Sequence, residues 1–388
     1  MTAPSPRIAI VGGGIGGLTA GIALKAAGFK PVIYERAPEF GEVGAGISLS
    51  PNAVKGLGSI GLGNFLDRKA NEPLHQYLFH GLTGEILQDI NRENCRETYG
   101  GPYLQLHRAD LMDGLVDAFG LEDCRLGKSL KGLEQSDSEV TLAFDDGTNE
   151  TADIVIGVDG LRSIIRDILF DTPEPTFSGH VAWRALIPGH KLGPRATERT
   201  NVNHIGAGQN LVTYPVRGTD LVNLVALTRA DGWVEESWNA KASPSELAKV
   251  FEGWTDYVTE AIAAIGEDDL YRWGLFIRTP LKTWVKGRVA LLGDAAHPML
   301  PYMGQGASSA IEDAVVLGRC FAQAEDAISA LEMYENARVE RAAFLQAESN
   351  LGGDRLQAMD PYVLRDNPPK NEDALGIFKY DPASVELA

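Results

Sequence analysis

Three glycines and one acid near the N-terminus have the types and the spacing of a nucleotide-binding site. Gly12, Gly14 and Gly17 form a G-x-G-x-x-G pattern, and Glu35 follows 23 positions after Gly12. In this pattern the first glycine permits a tight turn, the second lets a pyrophosphate approach the backbone, and the third lets a helix pack closely on a strand. An acid about 20 residues further on bonds the adenosine ribose. The spacing predicts a dinucleotide site, although the motif alone does not distinguish FAD from NAD.

The elements that must position this motif can be read on either side of it. Residues 8–11 are short, apolar and bounded by turn residues, which is typical of a buried parallel strand. We expect a helix after the glycines that stops at Gly28, and a second strand over residues 31–34 that ends on Glu35. A glycine-rich turn with an accidental acid nearby is the alternative. The ordered succession of strand, turn, helix, strand and acid argues against it.

Two later segments also place glycine and aspartate after an apolar strand. Residues 138–144 and 152–156 alternate as a predicted hairpin, and they lead into Asp159-Gly160. Residues 288–292 form another apolar strand, which Gly293-Asp294 follows directly. These segments are the ones that favour FAD.

Together the motifs resemble the class A flavoprotein aromatic hydroxylases. The chain is most similar to the branch that holds salicylate hydroxylase, 3-hydroxybenzoate 6-hydroxylase and 6-hydroxynicotinate 3-monooxygenase. The resemblance runs from Ile8 to about Ser349, and further matching segments are residues 42–47, 103–111 and 181–186. It implies an FAD-dependent, NAD(P)H-consuming monooxygenase. Its substrate would be a small hydroxylated aromatic or N-heteroaromatic acid, hydroxylated through a flavin 4a-hydroperoxide.

The resemblance also implies which residues hold the cofactor. FAD is expected to bind non-covalently, with Asp294 on the ribityl chain, Glu35 and Arg36 at the adenosine ribose, and Arg108 at the phosphates or the flavin edge. A helix that begins near Gly304 is expected to aim its free N–H groups at the flavin pyrimidine edge. NAD(P)H is expected as a transient co-substrate, because no second G-x-G-x-x-G follows a strand. The predicted FAD contacts are Gly12, Gly14, Gly16, Gly17, Glu35, Arg36, Ala45, Gly46, Arg108, Asp159, Gly160, Gly293, Asp294, Gly304, Gln305, Gly306 and Ala307.

Matching segments also suggest the substrate side of the site. The predicted substrate contacts are Ser48, Trp183, Arg184 and Tyr302, and the predicted catalytic residues are Tyr214, Asn210 and Pro298. Arg184 pairs either with a carboxylate or phenolate of the substrate or with a structural partner, and the sequence leaves both open.

One departure from the family concerns the catalytic base. Relatives that hydroxylate phenols often carry a histidine where this chain has Asn210, and another member carries one where Ser48 stands. Asparagine cannot act as a base at neutral pH. The proton must therefore leave through Tyr214 or through water, or the substrate must arrive already ionised.

The predicted fold class is α/β, with a three-layer, Rossmann-type FAD-binding domain and a mixed β-sheet substrate domain. Residues 1–75, 100–176 and 282–350 are expected to form a discontinuous FAD-binding domain. Residues 76–99 and 177–281 are expected to form the substrate-binding sheet, with one helix from about 244 to 265. Residues 351–388 form the C-terminal tail.

Composition narrows the class of protein and its partners. Apolar residues make up 44% of the 388 residues, which is ordinary for a globular enzyme. The net charge is -18, and because an acidic surface repels phosphate backbones and anionic lipids, we expect neither nucleic acid nor membrane as a partner. The cysteines Cys95, Cys124 and Cys320 lie far apart, which predicts no metal site and favours reduced thiols in the cytoplasm. The expected partners are a small aromatic substrate, NAD(P)H and O2, in a monomer or homodimer.

Two other functions stay open on the sequence. One is a flavoenzyme of other chemistry, such as epoxidation or halogenation, although the W-x-W-x-I-P stretch of the halogenases is absent. The other is a binding protein that keeps the fold without flavin chemistry, like the Rab GDP-dissociation inhibitors. Gly293-Asp294 argues against the second, because this pair contacts the ribityl chain in the family.

Overall fold

The structure, a computed structural model, describes residues 5–41, 45–194, 198–232 and 240–387. The strands are β1 (Ile8–Val11), β2 (Val32–Tyr34), β3 (Gly46–Leu49), β4 (His75–His80), β5 (Ile86–Asn91), β6 (Leu104–His107), β7 (Cys124–Arg125), β8 (Leu130–Gln135), β9 (Val140–Phe144), β10 (Asn149–Ala152), β11 (Ile154–Gly157), β12 (Thr176–Pro188), β13 (Thr200–Gly206), β14 (Gln209–Val216), β15 (Leu221–Arg229), β16 (Tyr271–Ile277), β17 (Val285–Lys286) and β18 (Val289–Leu291). The helices are α1 (Ile15–Ala26), α2 (Pro51–Ser59), α3 (Gly63–Lys69), α4 (Cys95–Tyr99), α5 (Arg108–Phe119), α6 (Ile164–Phe170), α7 (Pro244–Val250), α8 (Asp256–Ala263), α9 (Gln305–Gln323), α10 (Ala327–Leu356) and α11 (Val363–Asp366).

A mostly parallel sheet brings the predicted nucleotide motifs to one edge. Its order is β17-β18-β11-β1-β2-β7, and β1, β2, β11 and β18 pair in parallel. Helix α1 packs against both α5 and α9, and the three helices share one apolar core with this sheet. The carboxyl ends of β1, β11 and β18 lie side by side, so the loops after Val11, Gly157 and Leu291 meet at the edge where nucleotides bind in such sheets.

The predicted return strand of residues 152–156 is divided between two sheets. β10 pairs antiparallel with β9, whereas β11 pairs in parallel with β1. Asp153 lies at the crossing, where its carboxylate accepts the backbone N–H of Arg7 at 2.7 Å. Residues that look like one strand in the sequence therefore belong to two strands in two different sheets.

A seven-stranded sheet forms the second body of the molecule. Its order is β16-β12-β15-β14-β13-β4-β5, and its pairs are antiparallel except for β13 with β4. One face carries Leu211 and Leu224, which pack on α7 and α8. Because side chains alternate along a strand, Tyr214 and Asn223 lie on the opposite face. That face meets β3, where Asn223 Oδ1 accepts the N–H of Gly46 at 2.7 Å.

The prediction of one helix from about 244 to 265 is wrong. The segment forms two helices, α7 and α8, separated by residues 251–255. Gly253 takes a φ of +80°, a left-handed conformation that interrupts helical hydrogen bonding. Phe251 and Trp254 on either side are buried and pack edge to face, which fixes the break.

The predicted α/β fold class is confirmed. The strands of the seven-stranded sheet fall close to the predicted segments 76–99 and 177–281. On this basis we propose the division into a discontinuous FAD-binding domain, a substrate sheet and a C-terminal tail. Within the described ranges, no helix is both long enough and apolar enough to cross a bilayer.

Candidate active site

In the loop after β1, each of the three motif glycines has different surroundings, which give a different reason for glycine at that position. Gly12 has a φ of +111°, and a side chain there would collide with the carbonyl of Val158. A side chain at Gly17 would collide with the carbonyl of Gly12. At Gly14 an added Cβ would meet no atom within 4 Å. The loop is therefore packed behind and open in front, as close approach by a pyrophosphate requires.

The two acids predicted beside this loop hold backbone N–H groups. Glu35 accepts from Gly13 at 2.7 Å and from Ala37 at 2.8 Å. Asp159 accepts from the N–H of Ile165 at 3.3 Å, at the start of α6, and burial raises the pKa of its carboxyl. Gly160 beside it has a φ of +82°, which favours glycine at that position. Arg36, the next residue after Glu35, is exposed.

Gly293 and Asp294 lie in the loop after β18, opposite the glycine loop. Gly293 has a φ of +62°, and its N–H donates to Asp313 at 3.1 Å. The Asp294 side chain is accessible to solvent from within a cleft, and the surrounding protein raises the pKa of its carboxyl, although His297 and Arg108 act in the opposite direction.

Arg108 and Arg184 bring two cationic side chains to the same cleft. The pKa of Arg108 is lowered to about 10, chiefly by burial and then by the charge of Arg184, while Asp294 acts in the opposite direction. The backbone N–H of Arg108 donates to the carbonyl of buried Ala45 at 2.7 Å. Arg184 extends over the ring of Trp273 at 5.1 Å. Glu42 to Gly44, which precede Ala45 in the predicted motif, lie outside the described residues.

The N-terminus of α9 offers backbone donors to the cleft. Gly304 begins the helix in a left-handed conformation, and no side chain caps the first N–H groups. Positions Gly304 and Gly306 have open space where a Cβ would stand, and Ala307 completes the first turn. The Gln305 side chain turns away from this opening and donates to the Ser50 hydroxyl at 3.1 Å. Gln305 is therefore a structural side chain whose backbone alone is available to a ligand.

A buried ionic network supports both loops from behind. Asp313 Oδ2 also accepts from His297 Nε2 at 2.6 Å, and its Oδ1 accepts from Arg338 at 2.7 Å. Arg338 pairs with Glu312 at 2.7 Å, and Glu312 pairs with Arg341. No local sequence pattern indicates this network, because its members, from His297 to Arg341, lie up to 44 positions apart on separate elements.

On the substrate face of the seven-stranded sheet, Tyr214 lies beside Ser48. The Ser48 hydroxyl lies close enough to the phenols of both Tyr214 and Tyr103 to lower the pKa of each. Burial raises the pKa of both phenols. Tyr214 therefore stays protonated at neutral pH, where it can donate a hydrogen bond but does not serve as a base. Tyr103 was not predicted as a site residue, although it belongs to the matching segment 103–111.

Asn210 lies on the same face as Tyr214, two pleats along β14. Its Nδ2 donates to Asn203 at 3.1 Å, and its Oδ1 accepts from Gln357 at 3.1 Å. The amide keeps one N–H and one lone pair for a ligand. Pro298 is buried, and its carbonyl accepts from Gln346 at 2.8 Å.

The prediction that Trp183 contacts the substrate is not supported. Trp183 and Arg184 are consecutive on β12, so their side chains point to opposite faces of the sheet. Trp183 belongs to the apolar cluster with α7 and α8, and its indole N–H donates to Thr228 at 3.1 Å. Arg184 lies on the face of Tyr214.

Tyr302, a predicted substrate contact, packs against a histidine that is not among the predicted site residues. Its ring packs edge to face on His180, with 5.5 Å between the ring centroids. His180 is on the same face of β12 as Arg184, and its ring nitrogens have no hydrogen-bond partner among the described residues. Burial lowers the pKa of His180, so the ring is neutral at pH 7.

These residues fit FAD. At Gly14, Gly160, Gly304 and Gly306 an added Cβ would meet no atom within 4 Å, so a ligand can approach the backbone at each of them. Two uncapped helix N-termini supply N–H donors, Arg108 supplies a planar cation, and Asp294 supplies an acceptor within the cleft.

Comparison with known proteins agrees with this fit. The profile of the FAD binding domain family matches residues 6–349. The chain is 37% identical over 390 residues to 6-hydroxynicotinate 3-monooxygenase of Pseudomonas fluorescens, covering 99% of this chain and 97% of that protein. It is 36% identical over 395 residues to a 3-amino-4-hydroxybenzoate 2-monooxygenase of Streptomyces platensis, covering 98% and 97%. The crystal structure of HpxO from Klebsiella pneumoniae, complexed with FAD and uric acid, is similar with a TM-score of 0.86 and 29% identity, covering 96% of each chain.

Proposed function

The chain belongs to the class A FAD-dependent aromatic monooxygenases, and from this premise we propose that its substrate is a small aromatic or N-heteroaromatic acid with an acidified ring hydroxyl. The observation that carries the proposal is the pair Asn210 and Tyr214. Neither side chain can accept a proton at neutral pH, because one is an amide and the other is a phenol whose pKa burial has raised. A hydroxyl acidified by an acyl group or a ring nitrogen needs no protein base.

The relatives' names agree with such a substrate. Those proteins are named for 6-hydroxynicotinate and 3-amino-4-hydroxybenzoate, whose rings carry both an acid group and a hydroxyl. We extend that chemical class to this chain, with NAD(P)H and O2 as co-substrates, the cytoplasm as its compartment, and a monomer or homodimer as its state.

The residues on the substrate face have complementary roles in this proposal. When bound, FAD supplies electron transfer from NAD(P)H and the activation of O2. Tyr214 donates a hydrogen bond to the ring oxygen, and Asn210, two pleats along β14, offers its remaining N–H to the part of the ligand that faces it. Arg184 offsets the negative charge of the ionised hydroxyl, since its guanidinium lies near the Tyr214 phenol. Pro298 and Leu300 close the cleft against water.

A substrate screen tests the proposed function. FAD-loaded protein should oxidise NADH or NADPH slowly alone and much faster when a hydroxybenzoate or hydroxynicotinate is added, because substrate binding gates reduction. Mass spectrometry of the product should show one added oxygen. Acid precipitation should release all yellow colour into the supernatant. The proposal is wrong if no hydroxylated aromatic acid stimulates oxidation while neutral compounds of another class do.

The missing base predicts a particular pH dependence. Across acids of graded hydroxyl pKa, the pH of half-maximal coupled hydroxylation should follow the pKa of the substrate, since no enzyme group has to accept the proton. Asn210→His should be tolerated, raise the rate on simple phenols, and add an enzyme-derived pKa near neutrality.

One outcome would contradict this prediction. If wild-type protein shows the same pKa near neutrality with every substrate, a protein base exists. His180 is then the group to test, because it is neutral at pH 7 and lies on the substrate face. Loss of that pKa in His180→Asn would identify it.

A further inference from the structure

Arg92, directly after β5, is a buried cation with few partners. Its side chain is only 2% exposed. One terminal nitrogen donates to Gln76 Oε1 at 2.7 Å, and the same nitrogen lies 3.5 Å from the carboxylate of Glu372. The Nε–H has no partner among the described residues. A buried guanidinium with five donors normally has more of them satisfied, so this one has capacity for an anion.

Two aromatic rings hold the Arg92 guanidinium in place. Its central carbon lies 5.0 Å from the ring centre of Tyr103 and 5.1 Å from that of Phe378. Contacts of this kind attract the cation and fix its plane. They leave the N–H edge of the guanidinium as the part that can bind a carboxylate.

Phe378 and Glu372 belong to the C-terminal tail, which lies beyond the matched family region. Phe378 is fully buried and shares an apolar cluster with Tyr103, which precedes β6, and with Met299 and Met303, which lie in the segment before α9. The carbonyl of Phe378 accepts from Lys55 at 3.1 Å. Tyr380 lies under Arg341, 3.7 Å from its guanidinium. The tail therefore docks firmly beside the cleft.

Arg92 connects to the substrate face by two routes. The phenols of Tyr103 and Tyr214 both lie close to the Ser48 hydroxyl. Gln76, which Arg92 holds, lies opposite Asn201 on the neighbouring strand. Arg92 is thus two side chains away from Tyr214 along the first route, on the side opposite Arg184.

Three amides on the neighbouring strands have unused hydrogen-bonding atoms. Gln105 Nε2, Asn201 Oδ1 and Asn223 Nδ2 are buried and have no partner within the part of the chain that the structure describes. Gln105 stands opposite Ser48 in the β3–β6 pair, and Asn223 stands opposite Tyr214. Buried polar atoms of this kind need a polar ligand or water.

We propose that Arg92 binds the acid group of the aromatic substrate, that the C-terminal tail holds Arg92 in place, and that Glu372 is the carboxylate which the substrate displaces. The inference rests on the proposed function, because it takes the substrate to be an aromatic acid. It places the acid group at Arg92 and the ring hydroxyl beside Tyr214 and Arg184. Ligands of this class would then be oriented by a cation at each end.

Paired ligands test this arrangement. The FAD-loaded protein is titrated with 6-hydroxynicotinate and 3-hydroxybenzoate, and with their neutral counterparts 2-hydroxypyridine and phenol, while the flavin absorbance is followed. Arg92→Gln should weaken binding of the acids at least about tenfold, because a charged hydrogen bond is lost. Binding of the neutral compounds should change less than about twofold, since they make no bond to the guanidinium. Glu372→Gln should tighten binding of the acids, because the competing carboxylate is gone.

Matched controls separate this role from a structural one. Arg278→Gln also removes a buried arginine, one that pairs with Asp167 at 2.7 Å, and it should leave the preference for acids over neutral compounds unchanged. The inference is overturned if Arg92→Gln keeps the preference, or if it weakens both ligand classes equally. Weaker acid binding in Glu372→Gln would contradict the displacement step. If the wild-type protein binds neutral compounds but no acids, the proposed substrate class fails together with this inference.

Discussion

Arg338→Met should lower the free energy of unfolding by about 3–5 kcal/mol, the usual cost of removing one partner from a buried ion pair. Arg338 is fully buried and lies 2.7 Å from both Glu312 and Asp313. Methionine would fill similar space but would leave two carboxylates in the interior with one fewer cation. Asp313 holds Gly293 and His297, so the loss also loosens the loop after β18.

Urea unfolding of the flavin-free protein measures this effect. FAD is left out because a bound ligand adds its own stabilisation. Lys241→Met is the control, since Lys241 forms an exposed pair with Asp268 at 2.8 Å and such pairs contribute little. Equal unfolding midpoints for Arg338→Met and Lys241→Met would show that the buried network does not stabilise the fold.

The same network predicts how stability depends on pH. Burial alone would raise the pKa of Asp313, but His297 and Arg338 outweigh it and lower the pKa from 3.8 to about 2. A carboxyl with a depressed folded-state pKa stabilises the protein above its unfolded-state pKa, and it loses that contribution as the pH falls through the folded-state value. The free energy of unfolding should therefore fall between about pH 4 and pH 2 in the wild type. In Arg338→Met the fall should begin at higher pH, because Asp313 has lost one cation.

Asp294→Ala should weaken FAD binding by about 10- to 100-fold, as expected when a charged hydrogen bond worth about 1.5–3 kcal/mol is removed. Asp294 is the carboxylate that faces the cleft from the loop after β18, near Arg108. The protein should purify with little yellow colour, and its activity should recover when FAD is added in excess.

Fluorescence titration of FAD into the apoprotein gives the dissociation constants. Asp294→Asn is the matched control, because the amide oxygen keeps an acceptor but loses the charge, so its affinity should lie between those of wild type and Asp294→Ala. Far-UV circular dichroism shows whether each variant is folded. An Asp294→Ala protein that is folded and binds FAD like the wild type would remove Asp294 from the cofactor site.

The sequence by itself determined the nucleotide-binding edge of the molecule. Gly12, Gly14 and Gly17 act within one short loop, and their roles follow from backbone conformation and local packing. The same holds for Gly293 with Asp294. Motifs of this kind carry their geometry within a few residues, so a pattern of residue types is enough to identify them, and with them the cofactor class.

Only the tertiary structure decided which side chains share the substrate face. Period-two alternation separates Trp183 from Arg184, but which of the two meets the cleft depends on where α7 and α8 cover the sheet. Arg92 and Glu372 are 280 positions apart, and Asp313 and Arg338 belong to different helices. Such contacts come from the packing of distant elements, in which burial selects the partners and shifts their pKa values. No local pattern of residues predicts which distant side chains will meet. The nucleotide motif could therefore be identified from the sequence, whereas the proposed acid-binding side of the pocket could not.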